Sequence, residues 1–514
     1  TMTILGQVAS LAANDKIPGE YLESRDETGA GVGTRYLWIE ALKASGAGDL
    51  TVNTEERDIF NDADALTAFG ASSEGYRMCL RALRYGVPIK ASAHAATGSP
   101  AAATATITIT GTATAAGSWY GRLAGRPIGP IGVASGDTPT VIGDNIAAFI
   151  NNDPAFAATA SNSTGTITLT WGSYGVRGNS GIIWQESAAP ATSVSVALGG
   201  AGAATTSGGQ YFAGGAGTET IATILTTTFG EEYYTVCSSV RDATNLGLLE
   251  TQIDTKLGPL EGRLECAVTG LVGTLAASGS IAQSTLNDAS FQCPWMEEAE
   301  TPGEEIAAGI AAYRHLLESA SNAMDPNQRY DDVLLDWVQP QEAPSKRPSR
   351  ATMVSALNYG LTPLATRNGR VYMVRAVTAR TLTDAGDADD GTIDVGTDRT
   401  SKRYREEIKA ALRAHRAAHR HLDNNPAEGE EPTVPKDTTY PARAEDVIKT
   451  RNRELAALGW LAQVDLPENQ PRCALNPDSS TVRLVVYAPH VPKPLFHQAE
   501  GTIAKKKFLV AVTA

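Results

Sequence analysis

The sequence lacks the patterns that mark several common kinds of site. No run approaches the about 18 consecutive apolar residues of a membrane-spanning helix. Neither a GxxxxGK[ST] phosphate loop nor a GxSxG nucleophile elbow occurs. The five cysteines are scattered, and none forms a CxxC or Cys/His pair with the spacing of a zinc site. These absences exclude a P-loop nucleotide site, a GxSxG hydrolase and a cysteine zinc centre.

Composition and charge limit the partners of the chain. Its 514 residues include 43 Lys+Arg and 57 Asp+Glu, which gives a formal net charge of −14. So acidic a chain is not expected to coat nucleic acid or to insert into an anionic membrane. The length predicts about three domains. The opening residues lack a basic segment before an apolar one, so no secretory signal is expected, and Thr1 before Met2 fits removal of an initiator Met.

Two patterns resemble ligand sites but lack a required residue. Gly29, Gly31 and Gly33 put the third glycine in the wrong place for a GxGxxG dinucleotide loop, so a hinge is favoured. His415 and His419 lie four residues apart, but no HExxH glutamate accompanies them, and neighbouring arginines repel a cation. A solvated or partner-facing basic helix face is therefore favoured over a metal site.

The acidic loop 384–398 also invites a metal interpretation. Placing Gly391 as the central glycine of an EF-hand puts Gly386 and Ala388 at ligand positions, so the calcium pattern fails. The sequence therefore predicts no metal, no cofactor and no catalytic residue.

Charge is distributed unevenly along the chain. Only seven of the 127 residues 91–217 are charged, against 93 of the other 387. Segments 104–110 and 166–171 alternate threonine with larger apolar or small residues, which is typical of half-buried strands. Residues 141–150 between them favour a helix. The stretch 91–217 is therefore predicted to be a compact β-rich insert.

Strand and helix patterns alternate on both sides of the insert. This alternation predicts a layered α/β core with parallel strands. The expected helices are 62–69, 72–85, 243–256, 279–286, 304–321, 350–359, 401–422 and 444–458; the expected strands are 87–89, 233–239, 264–268, 291–293, 371–378 and 482–487.

The helix 401–422 is basic. Residues 399–421 contain eight Arg/Lys, two Glu and three His. Because the helix has no series of aromatic residues between the basic ones that could stack on successive bases, an acidic protein surface is favoured over nucleic acid as its partner. The predicted contact residues are Arg405, Lys409, Arg413, Arg416, Lys505, Lys506 and Lys507.

Both ends of the chain carry short apolar segments that can extend as strands. Their apolar residues are Ile4, Leu5 and Val8 at the start and Phe508, Leu509, Val510 and Val512 at the end. Such a segment can add a strand to a neighbour's sheet, or it can pair within its own chain. The sequence leaves both alternatives open.

Four stretches together resemble the sheath proteins of contractile phage tails, closest to the Mu-like myophage type. They are Ile-Pro-Gly-Glu-Tyr at 17–21; Ala-Phe-Gly-Ala-Ser-Ser at 68–73; the insert, with Ile-Ala-Ala-Phe-Ile at 146–150 and Gly-Val-Arg-Gly-Asn-Ser at 175–180; and 350–364 followed by Val-Tyr-Met-Val-Arg-Ala-Val-Thr at 371–378. Each is weak alone, but their order and spacing span nearly the whole chain.

The resemblance implies a multidomain α/β structural protein and not an enzyme. The implied parts are an N-terminal arm 1–25, a first part of the core 26–90, a protruding β-rich insert 91–217, an α/β core 218–385, a C-terminal inner domain 386–500 and a C-terminal arm 501–514. The arms are implied to exchange strands between subunits, with Gly19, Gly29, Gly31, Gly33 and Gly501 as hinges. The charge-poor insert is expected to project outward and to make few contacts.

The resemblance also implies an assembly. Subunits form stacked hexameric rings around a tail tube and contract to drive the tube through the host envelope. The implied partners are further copies, the tail tube protein, and baseplate and tail terminator proteins, in a virion assembled in the host cytoplasm. Departing from any family pattern, Cys79, Cys237, Cys266, Cys293 and Cys473 suggest either reduced thiols or disulfides between subunits.

Two other function classes fit parts of the sequence. A secreted surface adhesin would suit the Ala/Gly/Thr-rich insert, and an α/β enzyme with a β insert would suit the alternating core. The adhesin lacks a signal peptide, and the enzyme lacks an identifiable nucleophile, base and oxyanion set.

Overall fold

The chain enters a central sheet through a strand that is buried along its whole length. The computed structural model describes residues 35–44, 46–258, 261–319, 330–383, 385–389, 393–425, 437–476 and 483–492. All six residues of the first strand are buried, as expected for a strand covered on both faces. The elements before the insert are β1 (Leu37–Leu42), β2 (Glu56–Ile59), α1 (Asp62–Phe69), α2 (Glu74–Leu83) and β3 (Ile89–His94).

Local capping explains why α1 and α2 lie where the sequence predicts them. The side chains of Asn61 and Ser73 accept hydrogen bonds from backbone N–H groups of the first turns. Gly70 ends α1 with φ 82°, a conformation that favours glycine. The two predicted helices are confirmed, although α2 ends at Leu83, two residues earlier than expected.

The insert folds around a hydrophobic cluster of its own. Alternation along β4 and β8 buries Ile107, Ile109, Ile167 and Leu169 in one cluster with Ile142 of α3. The elements are β4 (Ala96–Thr110), β5 (Gly117–Leu123), β6 (Arg126–Val133), α3 (Pro139–Asn151), β7 (Ala158–Ser163), β8 (Thr166–Tyr174), a 3₁₀ turn (Val176–Ser180), β9 (Ile182–Gln185), β10 (Ser195–Gly199), β11 (Gln210–Tyr211) and β12 (Ala216–Glu219).

Two antiparallel sheets build the insert. One has the order β10-β4-β8-β7, with β12 also pairing to β4, and the other has the order β11-β9-β5-β6. The two threonine-rich segments are neighbours, since Thr108 pairs with Thr166 and Thr104 with Thr170. The strands and the helix predicted for this region are confirmed.

The second half of the core returns to alternating strands and helices. Its elements are α4 (Ala222–Thr227), β13 (Thr235–Ser238), α5 (Ala243–Leu257), β14 (Ala267–Val268), α6 (Leu275–Ser280) with a following π-helical turn (Ile281–Leu286), β15 (Phe291–Trp295), α7 (Gly303–Ser319), β16 (Val333–Leu335), a 3₁₀ turn (Pro344–Lys346), α8 (Arg350–Asn358), β17 (Leu361–Arg367) and β18 (Arg370–Met373). The strand predicted at 371–378 stops at Met373, and five residues later the amide of Thr378 bonds to the carbonyl of Ile393.

These strands form one mixed sheet of nine. Its order is β16-β18-β17-β15-β14-β13-β1-β3-β2. The six central strands from β17 to β3 run parallel, and β2, β18 and β16 pair antiparallel at the margins. The mixed α/β fold predicted from the alternation is therefore confirmed.

The C-terminal part packs two helices against a small sheet. Its elements are α9 (Val395–Ala418), β19 (His421–Leu422), β20 (Thr438–Thr439), α10 (Pro441–Ala457), a 3₁₀ turn (Pro467–Asn469), β21 (Arg472–Asn476) and β22 (Arg483–Tyr487). Tyr404, Ile408, Leu412, Ile448 and Leu455 share a hydrophobic cluster. No described helix is both long and apolar enough to cross a membrane.

The predicted bounds of the basic helix were wrong at both ends. The helix α9 begins six residues earlier, because Val395, Arg399 and Thr400 are buried against the core. It ends at Ala418, and His421 lies in β19, whose partner strand is β20.

Candidate functional site

Part of the predicted assembly surface lies outside the described residues. This holds for the arm residues Ile4, Leu5, Val8, Phe508, Leu509, Val510 and Val512, for the hinges Gly19, Gly29, Gly31, Gly33 and Gly501, and for Lys505, Lys506 and Lys507. Their predicted roles stay predictions.

A two-stranded ribbon in the C-terminal part offers a surface that can accept a strand. Strands β21 and β22 pair antiparallel from Arg472 opposite Tyr487 to Asn476 opposite Arg483. One face packs on the cluster of α9 and α10 through Cys473, Leu484 and Val486. Within the part of the chain that the structure describes, no third strand joins either edge. Edges that no strand pairs carry backbone donors and acceptors that a further strand can satisfy. On β21 the amide of Cys473 already donates to Glu445 Oε1 at 2.8 Å.

The arginines and lysines of the basic helix α9 lie on two sides, one facing the core and one facing outward. Arg405 Nη1 donates to the carbonyl of Leu257 at 2.8 Å, and Lys409 Nζ donates to the carbonyl of Gly262 at 3.3 Å. The Lys409 residue is only 6 % exposed. These two residues therefore join α9 to its own core, and their assignment to a tube or neighbour contact stays a prediction. Arg413 is half-buried and Arg416 is exposed, so both stay candidates for an external contact.

The cysteines are placed mostly where they cannot meet another subunit. Cys79, Cys237, Cys266 and Cys293 are at most 1 % exposed. A disulfide needs two Cβ atoms about 4 Å apart, so buried sulfurs cannot bridge folded subunits. For these four, burial favours the alternative of reduced thiols, and inter-subunit disulfides stay a prediction. Cys473 is half-buried in β21, and burial raises the pKa of its thiol to about 12, so the thiolate that reacts is scarce.

The insert is joined to the core by its few charged residues. Arg177 donates to Glu74 of α2 through Nε at 3.1 Å and through Nη2 at 2.9 Å, and it also pairs with Glu219. A second junction is formed by Arg122, whose Nε and Nη2 atoms donate to the two carboxylate oxygens of Glu300 at 2.7 and 3.0 Å. Two of the seven charged residues of the insert therefore dock it onto its own core, and the expectation that it projects outward and makes few contacts in an assembly stays a prediction.

A buried histidine extends this junction into the central sheet. His94 of β3 bonds to Glu40 of β1 and, through Nε2, to Glu219 at 3.3 Å. Burial alone would lower the pKa of His94, but the two carboxylates outweigh it and raise the pKa to about 9. The imidazolium therefore persists at neutral pH and donates from both nitrogens. Sequence reasoning missed this residue, because its partners are 54 and 125 residues away.

A shallow crevice runs between the insert and the core beside this junction. Its cavity volume is only about 30 Å³, and it is lined by Arg77 and Arg81 of α2, Arg126 of the insert and Glu305 of α7, with leucine and alanine side chains between them. Among these lining residues there is no nucleophile with an adjacent base, so the crevice does not resemble a hydrolytic site.

Three acidic side chains meet near the start of α9. The carboxylate oxygens of Glu250, Asp254 and Asp288 lie within 4.8 Å of one another and could hold a metal ion. Burial and neighbouring carboxylates raise the pKa of Glu250 to about 7 and that of Asp254 to about 6. The sequence analysis did not find this cluster, because only the spacing of 250 and 254 is visible along one helix.

His415 and His419 form hydrogen bonds within their own chain. The rings of His415 and His419 lie 4.3 Å apart. The Nε2 atom of His415 bonds to Thr439 Oγ1 at 2.6 Å, and His419 Nδ1 donates to the carbonyl of His415 at 2.7 Å. Among the residues described, no third ligand joins the pair to make a metal site.

Comparisons with known proteins were made by sequence and by structure. No family model and no curated protein matches the sequence. The fold is similar to a sheath tail protein from Desulfitobacterium hafniense, with 12% identity over 92% of this chain and 100% of that chain and a TM-score of 0.45. It is also similar to a chain of the anti-feeding prophage baseplate, with 14% identity over 54% of this chain and 70% of that chain and a TM-score of 0.34.

Proposed function

We propose that the chain is a structural subunit of a contractile phage tail sheath. Copies polymerise as stacked hexameric rings around the tail tube and contract to drive the tube through the host envelope during genome ejection. The observation that carries the proposal is the ribbon β21–β22, which no third strand joins among the described residues, in a chain that also carries short apolar segments at 2–8 and 508–512.

The proposed linkage follows from the chemistry of the ribbon. An arm from a neighbouring copy can pair with one edge through its backbone, and its alternate side chains can extend the apolar face of Cys473, Leu484 and Val486 that packs on α9 and α10. A two-stranded ribbon is marginal alone, and three or more strands are stable. Arms that complete this sheet would link each subunit to its neighbours.

The stretches that resemble sheath proteins occupy structural joints in this fold. Residues 68–73 connect α1 to α2 and contact the insert, where the amide of Ser72 bonds to the carbonyl of Pro154. Residues 175–180 present Arg177 to Glu74. Residues 350–364 join α8 to the parallel strand β17. Their positions support a resemblance based on architecture rather than on a catalytic site.

The buried junctions support a subunit that moves as one body. The insert is held through Arg177, and α9 is held through the fully buried Arg399, whose Nε donates to Glu318 at 2.6 Å. In the proposed mechanism, contraction repacks rigid subunits while the arms keep them linked, and the energy is stored in the extended lattice. No nucleotide site is required by such a mechanism.

The finer parts of the proposal go beyond the fold. They are the Mu-like type, the hexameric rings, the domain boundaries, and the tube, baseplate and terminator partners in a virion assembled in the host cytoplasm. Arg413 and Arg416 of α9 are the proposed contacts to acidic surface on the tube or a neighbour.

Negative-stain electron microscopy at moderate salt tests the proposal. The full chain is compared with a variant lacking residues 501–514 and with a matched full-length variant, Val510→Asp, which places one charge in the C-terminal segment. Hollow helical tubes from the full chain and none from either variant would support strand exchange. Dispersed monomers from all three would contradict a sheath and would favour a search for ligands in the α/β core.

A further inference from the structure

Two arginines share one carboxylate where α9 docks onto the core. Arg399 Nε donates to Glu318 Oε2 at 2.6 Å, and Arg314 Nε donates to Glu318 Oε1 at 3.0 Å. All three residues are at most 5 % exposed. The two guanidinium groups bring one positive charge more than Glu318 neutralises.

Two further arginines stand at the outer side of this group. The guanidinium of Arg35 lies over the Tyr234 ring at 4.6 Å, and that of Arg399 lies over the same ring at 4.1 Å. The Glu406 carboxylate is 3.8 Å from Arg35 Nη2 and 3.6 Å from Arg403 Nη1. The side chains of Arg35 and Arg403 are 16% and 14% exposed, so both can be reached from solvent.

The charges of this arginine cluster (Arg35, Arg314, Arg399 and Arg403) do not balance. Among the described residues, the carboxylates that face the cluster are Glu318 and Glu406, which leaves two positive charges in excess. His315 adds none, because burial lowers its pKa to about 4. Nη1 of Arg399 and Nη1 of Arg403 are buried and have no hydrogen-bond acceptor among the described residues. Burial, and then the charge of Arg403, lower the pKa of Arg35. Unpaired buried charge is costly, so this cluster favours an added anion.

The sequence before Arg35 carries suitable anions. Residues 20–27 read Glu-Tyr-Leu-Glu-Ser-Arg-Asp-Glu, with four carboxylates and one arginine. Gly29, Gly31 and Gly33 separate them from Arg35. The eight residues from 27 to 35 span at most about 29 Å when extended, and the cluster begins at Arg35 itself, so the segment is within reach.

We propose that the acidic segment 20–27 binds the arginine cluster of its own chain, with carboxylates of Glu23, Asp26 and Glu27 pairing with Arg35 and Arg403. Charge-assisted hydrogen bonds from guanidinium to carboxylate are stronger than hydrogen bonds between neutral groups. Binding there holds the arm beside α9 and fixes the direction in which residues 1–19 leave the subunit. The inference rests on the charges of the cluster and not on the proposed sheath function.

Protection of the segment from chymotrypsin tests this binding in the full chain. Cleavage after Tyr21 releases residues 1–21, and mass spectrometry follows its rate in wild type, in Arg403→Glu and in the control Arg370→Glu. Arg370 is exposed on β18 and carries the same charge change away from the cluster. Losing one charged partner is expected to speed cleavage roughly tenfold in Arg403→Glu only. Adding Asp26→Lys and Glu27→Lys to Arg403→Glu should restore protection.

Several outcomes would overturn the inference. Equal cleavage rates in wild type and Arg403→Glu, at both low salt and 0.5 M salt, would show that the arginines do not hold the segment. A rate that falls with rising protein concentration would assign the segment to a second copy and contradict binding within the chain. Tube formation is scored separately by microscopy, so failure of the sheath proposal leaves this result interpretable.

Discussion

Arg177 of the insert and Glu74 of the core form an ion pair at 2.9 Å between side chains that are 7% and 1% exposed. The two residues are 103 positions apart, and the hydroxyl of Ser173 accepts the amide N–H of Glu74 beside them. Desolvation raises the pKa of Glu74, although the charge of Arg177 opposes this. The stability of the junction therefore depends on each charge keeping its partner.

Replacing Arg177 by methionine is expected to destabilise the subunit strongly. Glu74 and Glu219 would stay buried without their common cation, and breaking a buried pair costs about 3–5 kcal/mol. Urea unfolding followed by tryptophan fluorescence measures the change. The matched control is Arg126→Met, since Arg126 pairs with Asp153 at 2.5 Å but both are more than a third exposed. That substitution should cost less than about 1 kcal/mol. Similar losses in both variants would contradict a special role for Arg177.

Stability is expected to fall in alkaline solution because of His94. Its folded pKa of about 9 lies above the usual value of 6.5, so its contribution is complete below pH 6.5 and is lost as the pH rises through 9. The difference of 2.5 pH units corresponds to about 3 kcal/mol. Thermal melts from pH 6 to 10 should show this loss in wild type and a flatter profile in His94→Gln. Parallel profiles for the two proteins would count against a buried imidazolium.

The cysteines are expected to stay reduced and protected in the folded chain. Burial raises the pKa of Cys293 to about 12 and also raises the pKa of Cys79 and Cys237, so they are buried as thiols. Titration with an aromatic disulfide reagent should detect no more than one reactive thiol before unfolding, and Cys473→Ser should remove it. A ladder of linked subunits on a non-reducing gel that survives Cys473→Ser would contradict this.

The sequence predicted local structure better than it predicted buried charge. Some features depend only on neighbouring residues, so they could be predicted without knowing the fold. These are the helix cap at Ser73, the helix end at Gly70 and the alternating pattern of 104–110. The burial of Arg177 and Arg399 could not be predicted, because a charged residue is expected at the surface unless its partner is known. Their partners Glu74 and Glu318 are 103 and 81 residues away. The start of α9 was missed for the same reason, since its first turns are buried by tertiary contacts rather than marked by a cap.

Substitutions on the two sides of α9 are expected to have different effects: one on the core side should lower stability, and one on the exposed side should reduce assembly. Lys409→Ala removes a bond from a buried ammonium to the carbonyl of Gly262 and should lower the free energy of unfolding by about 1–3 kcal/mol. Arg416→Glu changes an exposed residue and should change the free energy of unfolding by no more than about 1 kcal/mol, because interactions of solvent-exposed charged side chains contribute little. If Arg416 meets an acidic surface, the same variant should form fewer tubes, and tube formation by wild type should weaken as salt rises. Urea unfolding and electron microscopy of the same preparations measure both. Normal tubes from Arg416→Glu at every salt concentration would contradict a contact between Arg416 and an acidic surface.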